Sequence, residues 1–85
     1  MRDLDRLARL APGGAPDRPI DVDTPAVVDV MAEARRCPLC EGTLQLREHT
    51  AETIGGERLR VAHVQCTSCG IARAIYFRLT GALVH

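Results

Sequence analysis

The sequence predicts a small, metal-stabilised β domain, and three observations lead to that prediction. The chain has 85 residues with one Tyr, one Phe and no Trp, so its hydrophobic core must be thin. All four cysteines fall in two CxxC pairs, which is typical of metal ligands. Between and after these pairs, apolar and polar residues alternate with the period of two that strands show. A chain of this length commonly needs a metal, a disulfide set or a partner in order to fold.

Residues 1–19 are predicted to form a flexible N-terminal segment that ends in a linker. Leu4, Leu7 and Leu10 recur at every third position, which is the spacing of a short amphipathic helix. A helix of this length is marginal in isolation and requires a surface on which to dock. Residues 11–19 carry three Pro and two Gly, which oppose both helix and strand. The domain proper is therefore predicted to span residues 20–85.

Residues 20–36 permit two interpretations. Thr24 and Pro25 suit the N-cap and the first residue of a helix. Against a helix, apolar residues alternate with their neighbours at positions 28, 30, 32 and 34, which is the pattern of a strand. We favour a strand over residues 26–34 that leads into the first Cys pair, and we keep the helix as the alternative.

Three strands are predicted from residue 43 onward. Residues 43–49 alternate, and residues 58–65 return after a turn at Gly55 and Gly56, where positive φ angles carry no penalty. A register that places Leu46 opposite Val64 gives the pair one apolar face. Residues 71–79 form the third strand. The sequence thus predicts a three-stranded antiparallel sheet, to which an N-terminal strand or short helix is added.

The cysteines are the strongest functional signal in the chain. Cys37 and Cys40 form one pair, and Cys66 and Cys69 form the other, with 25 residues between the pairs. That length suits two strands and a turn, which bring the second pair back beside the first. Two CxxC turns supply four sulfurs to one tetrahedral Zn²⁺, and a sphere closed by four protein ligands is structural rather than catalytic. We therefore predict one zinc ion held by these four cysteines.

The sequences around the cysteines, CPLCEG at residues 37–42 and CTSCG at residues 66–70, resemble the knuckles of the zinc ribbon family, which read CPxCG and CxxCG. The resemblance covers about residues 35–79, where the ribbon proper is expected, and it extends to rubredoxin-like knuckles and to small bacterial zinc-ribbon proteins of unknown role. The first knuckle departs from the pattern because Glu41 occupies the Gly position, which implies a left-handed backbone at Glu41. The resemblance implies a structural or interaction module.

Charge gives a weaker signal than the cysteines. The formal net charge is zero, but residues 1–34 carry −3 and residues 35–85 carry +3. Four thiolates around one Zn²⁺ add −2 to the second half, so little positive field is left. A nucleic-acid-binding ribbon is nevertheless an alternative, and it would use the arginines of the strands together with scarce aromatic residues. These arginines are Arg47, Arg58, Arg60, Arg73 and Arg78.

Catalysis is not expected from this sequence. It contains no HExxH motif, no Ser-His-Asp spacing and no carboxylate pair on a defined scaffold. The predicted register places His49 and His63 on neighbouring strands, opposite the apolar face, as solvated residues. The second alternative function is a thiol redox switch or an iron electron-transfer protein, since both use CxxC pairs.

The remaining expectations concern location and partners. No apolar run reaches the length of a membrane span or of a secretory signal, so we expect a cytoplasmic protein without membrane contact. The leading hypothesis is a non-catalytic zinc-binding module that mediates a protein–protein interaction. The sequence leaves homo-oligomerisation open.

Overall fold

A computed structural model of the chain describes residue 7 and residues 10–80. Its elements in chain order are β1 (Ile20–Val22), α1 (Pro25–Ala34), β2 (Leu44–Ile54), β3 (Glu57–Cys66) and β4 (Ala72–Leu79). The strands form one sheet in the order β1-β4-β3-β2. β2 pairs antiparallel with β3, and β3 pairs antiparallel with β4, whereas β1 pairs parallel with β4.

The prediction of a three-stranded antiparallel sheet is wrong, because the sheet has four strands and is mixed. The antiparallel pairing of β2, β3 and β4 is present, and Leu46 lies opposite Val64 as expected. The fourth strand, β1, consists of three residues and pairs Ile20 with Phe77. So short a strand has no recognisable alternation of its own, and its partner lies far away in sequence.

The strand predicted over residues 26–34 is a helix. Thr24 is extended, with φ −138°, and Pro25 occupies the first turn, as in the alternative interpretation. Val28 and Ala32 are fully buried, whereas Val30 is 69% exposed. A strand would turn Val28 and Val30 to the same face, so the spacing of four between the buried residues is the helical period. The alternation of apolar residues in this segment does not reflect two faces of a strand.

Helix α1 covers one face of the sheet and closes the core. The core joins Val28 and Ala32 of the helix to apolar residues of all four strands, and Phe77 is its only aromatic side chain. Two of the cysteines, Cys37 and Cys66, also belong to this core. The Cys cluster is therefore attached directly to the apolar interior, and a change in one affects the packing of the other.

A β-bulge at Arg47 changes which face the second half of β2 presents. The register shifts by one residue there, so His49 lies opposite Ala62, on the side that α1 covers. His49 Nδ1 is 2.8 Å from Asp29 Oδ1 of the helix. The prediction that His49 and His63 share the solvated face is therefore wrong for His49. A bulge of one residue reverses the alternation, and nothing in the local sequence announces it.

The loop formed by residues 11–19 lies against the edge of β4. The Gly13 carbonyl accepts a hydrogen bond from the Tyr76 N–H at 2.9 Å. Gly13 has φ +82°, and a Cβ there would lie 2.8 Å from Ile20 Cδ1 and 3.0 Å from Ile75 Cγ2, so both conformation and space require glycine. The division of the chain into residues 1–19 and 20–85 stays a prediction.

The predicted leucine stripe of the N-terminal segment is only partly within the described residues. Leu7 and Leu10 are helical, and they are 61% and 52% exposed. Leu4 lies outside the described residues. None of the helices in the described part of the chain has the length and apolar character needed to cross a bilayer.

Candidate metal centre

The first CxxC turn begins directly after α1. The Cys37 N–H donates to the Gly42 carbonyl at 2.9 Å, and the Glu41 N–H donates to the Cys37 carbonyl at 2.8 Å. Glu41 has φ +60°, so the left-handed backbone implied by the zinc-ribbon resemblance is confirmed. Gly42 is required for a different reason: a Cβ there would lie 2.7 Å from Ser68 Oγ and 3.1 Å from Cys66 Sγ. The first turn therefore requires a left-handed backbone at Glu41 and leaves no space for a side chain at Gly42.

The second CxxC turn has the same backbone hydrogen bonds as the first. The Cys66 N–H donates to the Ile71 carbonyl at 2.9 Å, and the Gly70 N–H donates to the Cys66 carbonyl at 3.1 Å. Gly70 takes the left-handed position with φ +78°. The N–H groups of Ser68 and Cys69 point at Cys66 Sγ, at 3.3 and 3.4 Å. Such N–H···S contacts orient a sulfur ligand and spread its negative charge.

The start of β2 ties the two turns together. The Thr67 N–H donates to the Thr43 carbonyl at 2.9 Å, and Thr67 Oγ1 donates to the same carbonyl at 3.2 Å. Thr43 also forms an isolated antiparallel bridge with Arg36, directly before the first turn. The β2–β3 hairpin therefore returns the chain so that both turns face each other.

The four predicted cysteines meet at one point, with all their sulfurs within 4.8 Å of one another. Cys37 Sγ is 3.8 Å from Cys69 Sγ, and Cys40 Sγ is 3.4 Å from Cys66 Sγ. Disulfide sulfurs lie about 2.05 Å apart, so these are free thiols. In each turn the first cysteine is buried and the second is exposed. The arrangement can hold one metal ion between the core and the surface.

The surroundings of the sulfurs shift the pKa values of Cys40 and Cys66 in opposite directions. Without a metal, the pKa of Cys66 is lowered to about 6, first by the Cys69 N–H and then by the Ser68 N–H and neighbouring thiols, against the opposing effect of burial. The pKa of Cys40 is raised to about 12: the Gly42 N–H acts to lower it, but the side chain of Cys66, burial and the other two thiols outweigh that effect. Cys66 is therefore ready to bind a cation near neutral pH.

The predicted arginine face is divided between the two sides of the sheet. Cross-strand partners share a face, so Arg73, opposite Val64, and Arg60, opposite Phe77, lie on the side of α1. Arg78 lies on the other side, next to Phe77 in β4, and pairs with two carboxylates. Its guanidinium is 2.9 Å from Asp21 and 3.0 Å from Glu57.

The other two predicted arginines lie along the β2–β3 hairpin. Arg47 lies in the bulge and donates a hydrogen bond to Gln45 at 3.2 Å. Arg58 lies near the hairpin turn, opposite Thr53. The structure therefore does not gather the five arginines into one patch.

Sequence reasoning missed two features of the site. The first is the packing of Gly42 against Ser68, although a Gly placed one position later than the family pattern was a signal for it. The second is the pair formed by Asp29 and His49, which depends on the unpredicted helix and bulge. Within the described part of the chain, no other group of three or more His, Cys, Asp or Glu side chains comes together as possible metal ligands.

Comparison with known proteins adds a family description for part of the chain. Residues 35–72, somewhat less than half of the chain, match a family of unknown function (DUF8054), in its C-terminal domain. The matched range contains all four cysteines, both turns and the β2–β3 hairpin. No curated protein and no solved structure matches the chain.

Proposed function

We propose that this protein is a non-catalytic module with one structural zinc ion, and that it acts by binding another protein. The observation that carries the first part is the spacing of the four sulfurs. Zn–S bonds of about 2.3 Å in a tetrahedron place the sulfurs about 3.8 Å apart. The separations of 3.8 Å for Cys37 and Cys69 and of 3.4 Å for Cys40 and Cys66 are close to this spacing, and all four sulfurs lie within 4.8 Å of one another.

A structural role follows from the number and the placement of the ligands. Four thiolates close the coordination sphere, so no position is left for a water molecule or a substrate. Cys37 and Cys66 are 1% and 2% exposed and belong to the core that α1 and the sheet form. In zinc-finger peptides, zinc binding supplies on the order of 10–16 kcal/mol of folding free energy. A core with one aromatic side chain has a clear need for such a contribution.

A protein partner is favoured over nucleic acid by the distribution of charged and apolar groups. The arginines lie on both faces of the sheet, and Arg78 is engaged by two carboxylates, whereas nucleic-acid binding uses a continuous basic surface. The surface also exposes apolar side chains. Val30 on α1 is 69% exposed, and Leu7 and Leu10 are also mostly exposed. Singly these are ordinary, but they supply apolar contacts to a partner.

Substitution of one exposed ligand tests the zinc site with a matched control. Cys40→Ser removes a ligand, whereas Cys40→His replaces it with another zinc ligand at the same exposed position. We expect the His variant to retain one zinc per chain and a folded spectrum, and the Ser variant to lose both. Metal content by mass spectrometry and circular dichroism measure the two outcomes. Bound iron in the unsubstituted protein, or a Ser variant with full zinc content and native melting, contradicts the proposal.

The partner class is tested by affinity capture of the zinc-loaded protein from its native lysate, with and without nuclease. We expect a protein that stays bound after nuclease treatment and is lost from the Cys40→Ser variant. Recovery that disappears with nuclease would contradict the protein-binding proposal and support the nucleic-acid alternative.

A further inference from the structure

Among the described residues, the outer edge of β4 is paired over only part of its length. The Tyr76 N–H donates to Gly13, and the Thr80 N–H donates to Val22 at 2.9 Å, so the loop and β1 cover the C-terminal half of the strand. Backbone groups alternate in direction along a strand, so the N–H and C=O of Ala74 point to the same edge as those of Tyr76. The pairing of β1 with β4 begins only at Phe77.

An apolar cavity of about 90 Å³ with a basic rim lies beside this edge. Pro38, Leu44 and Ile75 form its apolar part, and Ala74 and the loop at residues 11–14 complete its wall. Its rim carries Arg35, Arg36 and Arg73. Among the described residues, neither Arg35 nor Arg36 takes part in an ion pair. The cavity therefore combines apolar lining side chains with two arginines that form no ion pair within the described part of the chain.

A second, more open groove of about 520 Å³ lies along the same edge. Pro16 and Tyr76 line it together with Ile71, Ala72 and Ala74, and Gly14 and Arg73 line both this groove and the cavity. Successive side chains of an extended peptide point to opposite sides. A segment lying along β4 would thus place alternate side chains in the basic cavity and in the open groove.

We propose that the open edge of β4 binds an extended acidic segment of a partner protein, which pairs with the strand and places an Asp or Glu carboxylate between Arg35 and Arg36. This inference rests on the proposed function and names the chemistry of its partner. Backbone pairing to Ala74 supplies sequence-independent affinity, and the cavity supplies selectivity. The methylene groups of the acidic side chain contact the apolar part of the cavity, while its carboxylate receives charge-assisted hydrogen bonds from the guanidinium groups.

The shape and composition of the cavity favour a carboxylate side chain over a nucleic-acid phosphate. A phosphate has no apolar part to cover Pro38, Leu44 and Ile75. Single-stranded nucleic acids also require stacking surfaces, and Tyr76 is the only aromatic residue that lines either groove. Pro38 lies within the first CxxC turn, so a metal held by that turn would also fix part of the cavity wall.

A peptide titration of the zinc-loaded, ¹⁵N-labelled full chain tests the inference by NMR. The probe is a blocked pentapeptide, Val-Thr-Glu-Val-Thr, and the matched probe carries Gln instead of Glu. We expect the Glu peptide to shift the amide signals of Ala74 and Gly14 and to slow hydrogen exchange at Ala74. The Gln peptide should bind about tenfold more weakly than the Glu peptide. Hydrogen bonds to charged groups are stronger than neutral ones by a free energy that corresponds to roughly that factor in affinity.

Two arginine variants complete the design. Arg36→Gln removes a charge from the rim of the cavity. It should reduce the affinity for the Glu peptide to that for the Gln peptide. Arg58→Gln removes an exposed arginine near the hairpin turn, outside both grooves, and should leave binding unchanged. Equal binding of the two peptides, equal loss in the two variants, or displacement of the Glu peptide by oligouridylate would overturn the inference.

The outcome is distinguishable from a failure of the proposed function. If the zinc-loaded protein captures a nuclease-resistant partner that Arg36→Gln still binds normally, the β4 edge is excluded and the interaction-module proposal stands. If the Glu peptide binds as expected while lysate capture depends on nucleic acid, the β4 edge does bind acidic segments, but the proposed function as a protein-binding module fails.

Discussion

Substitution of Gly42 by Ala tests how closely the two CxxC turns approach each other. Gly42 belongs to the first turn, yet the three atoms nearest to an added Cβ belong to the second. The Cβ would lie 2.7 Å from Ser68 Oγ, 2.9 Å from Ser68 Cβ and 3.1 Å from Cys66 Sγ. Gly42 is not among the residues with positive φ, so the substitution adds no left-handed strain and destabilises the fold through crowding.

The expected loss follows from those three distances. Ser68 Oγ can rotate away, but Ser68 Cβ is fixed to the backbone, and Cys66 Sγ is held by the N–H groups of Ser68 and Cys69. The second turn must therefore move as a unit, which disturbs the sulfur cluster. Overpacking of this kind typically costs about 1–3 kcal/mol of folding free energy. Part of that cost should appear as weaker zinc binding, since Cys66 moves with the turn.

A double-mutant cycle gives the sharpest assay. Ser68→Gly removes both serine atoms that the new methyl group would strike, so it should restore most of the stability lost in Gly42→Ala. We expect a coupling energy of about 1 kcal/mol or more between the two positions, measured by urea unfolding of the zinc-loaded proteins. Additive effects, or a Gly42→Ala variant as stable as the parent, would refute the close approach of the two turns.

Three further predictions follow from the same structure. Glu41→Gly should stabilise the protein by about 0.5–1 kcal/mol, because relief of the left-handed strain at φ +60° exceeds the entropy cost of glycine; unchanged thermal unfolding would contradict this. Zinc binding should release a proton from Cys40 at neutral pH but none from Cys66, whose pKa is about 6; as pH falls below 6, Cys66 is protonated too, so calorimetric proton release should rise and affinity fall more steeply, and release independent of pH would count against this assignment. Phe77→Ala should cost about 3–5 kcal/mol in chemical unfolding, since this fully buried side chain is the only aromatic of the core, and a loss below 1 kcal/mol would show that the core lies elsewhere.

The parts of the fold that the sequence predicted are those with strong local signals. The turn at Gly55 and Gly56, the pairing of Leu46 with Val64 and the left-handed backbone at Glu41 depend on adjacent residues or on the fixed CxxC spacing. The convergence of the four cysteines was predicted as well, because the spacing of the two CxxC pairs is visible in the sequence. In each case the chemistry of a few neighbouring residues limits the backbone to one conformation.

The parts that the sequence did not predict depend on distant contacts. A strand was predicted in place of helix α1 because Val30 extends an apparent alternation of apolar residues. Only the packing of the helix on the sheet shows that Val28 and Ala32 are the buried residues. β1 becomes a strand only by pairing with β4, which lies at the other end of the chain. The bulge at Arg47 places His49 beside Asp29, and a single extra residue leaves no periodic signal.

We propose that the fold depends on one metal ion held by the four cysteines whose sulfurs lie together. The most direct measurement is native mass spectrometry of the purified chain, followed by circular dichroism during chelation and during titration back with Zn²⁺. We predict one zinc per chain, loss of the folded spectrum on chelation, and full recovery at one equivalent of zinc. A metal-free chain that keeps its spectrum and its unfolding transition would contradict the dependence of the fold on a metal.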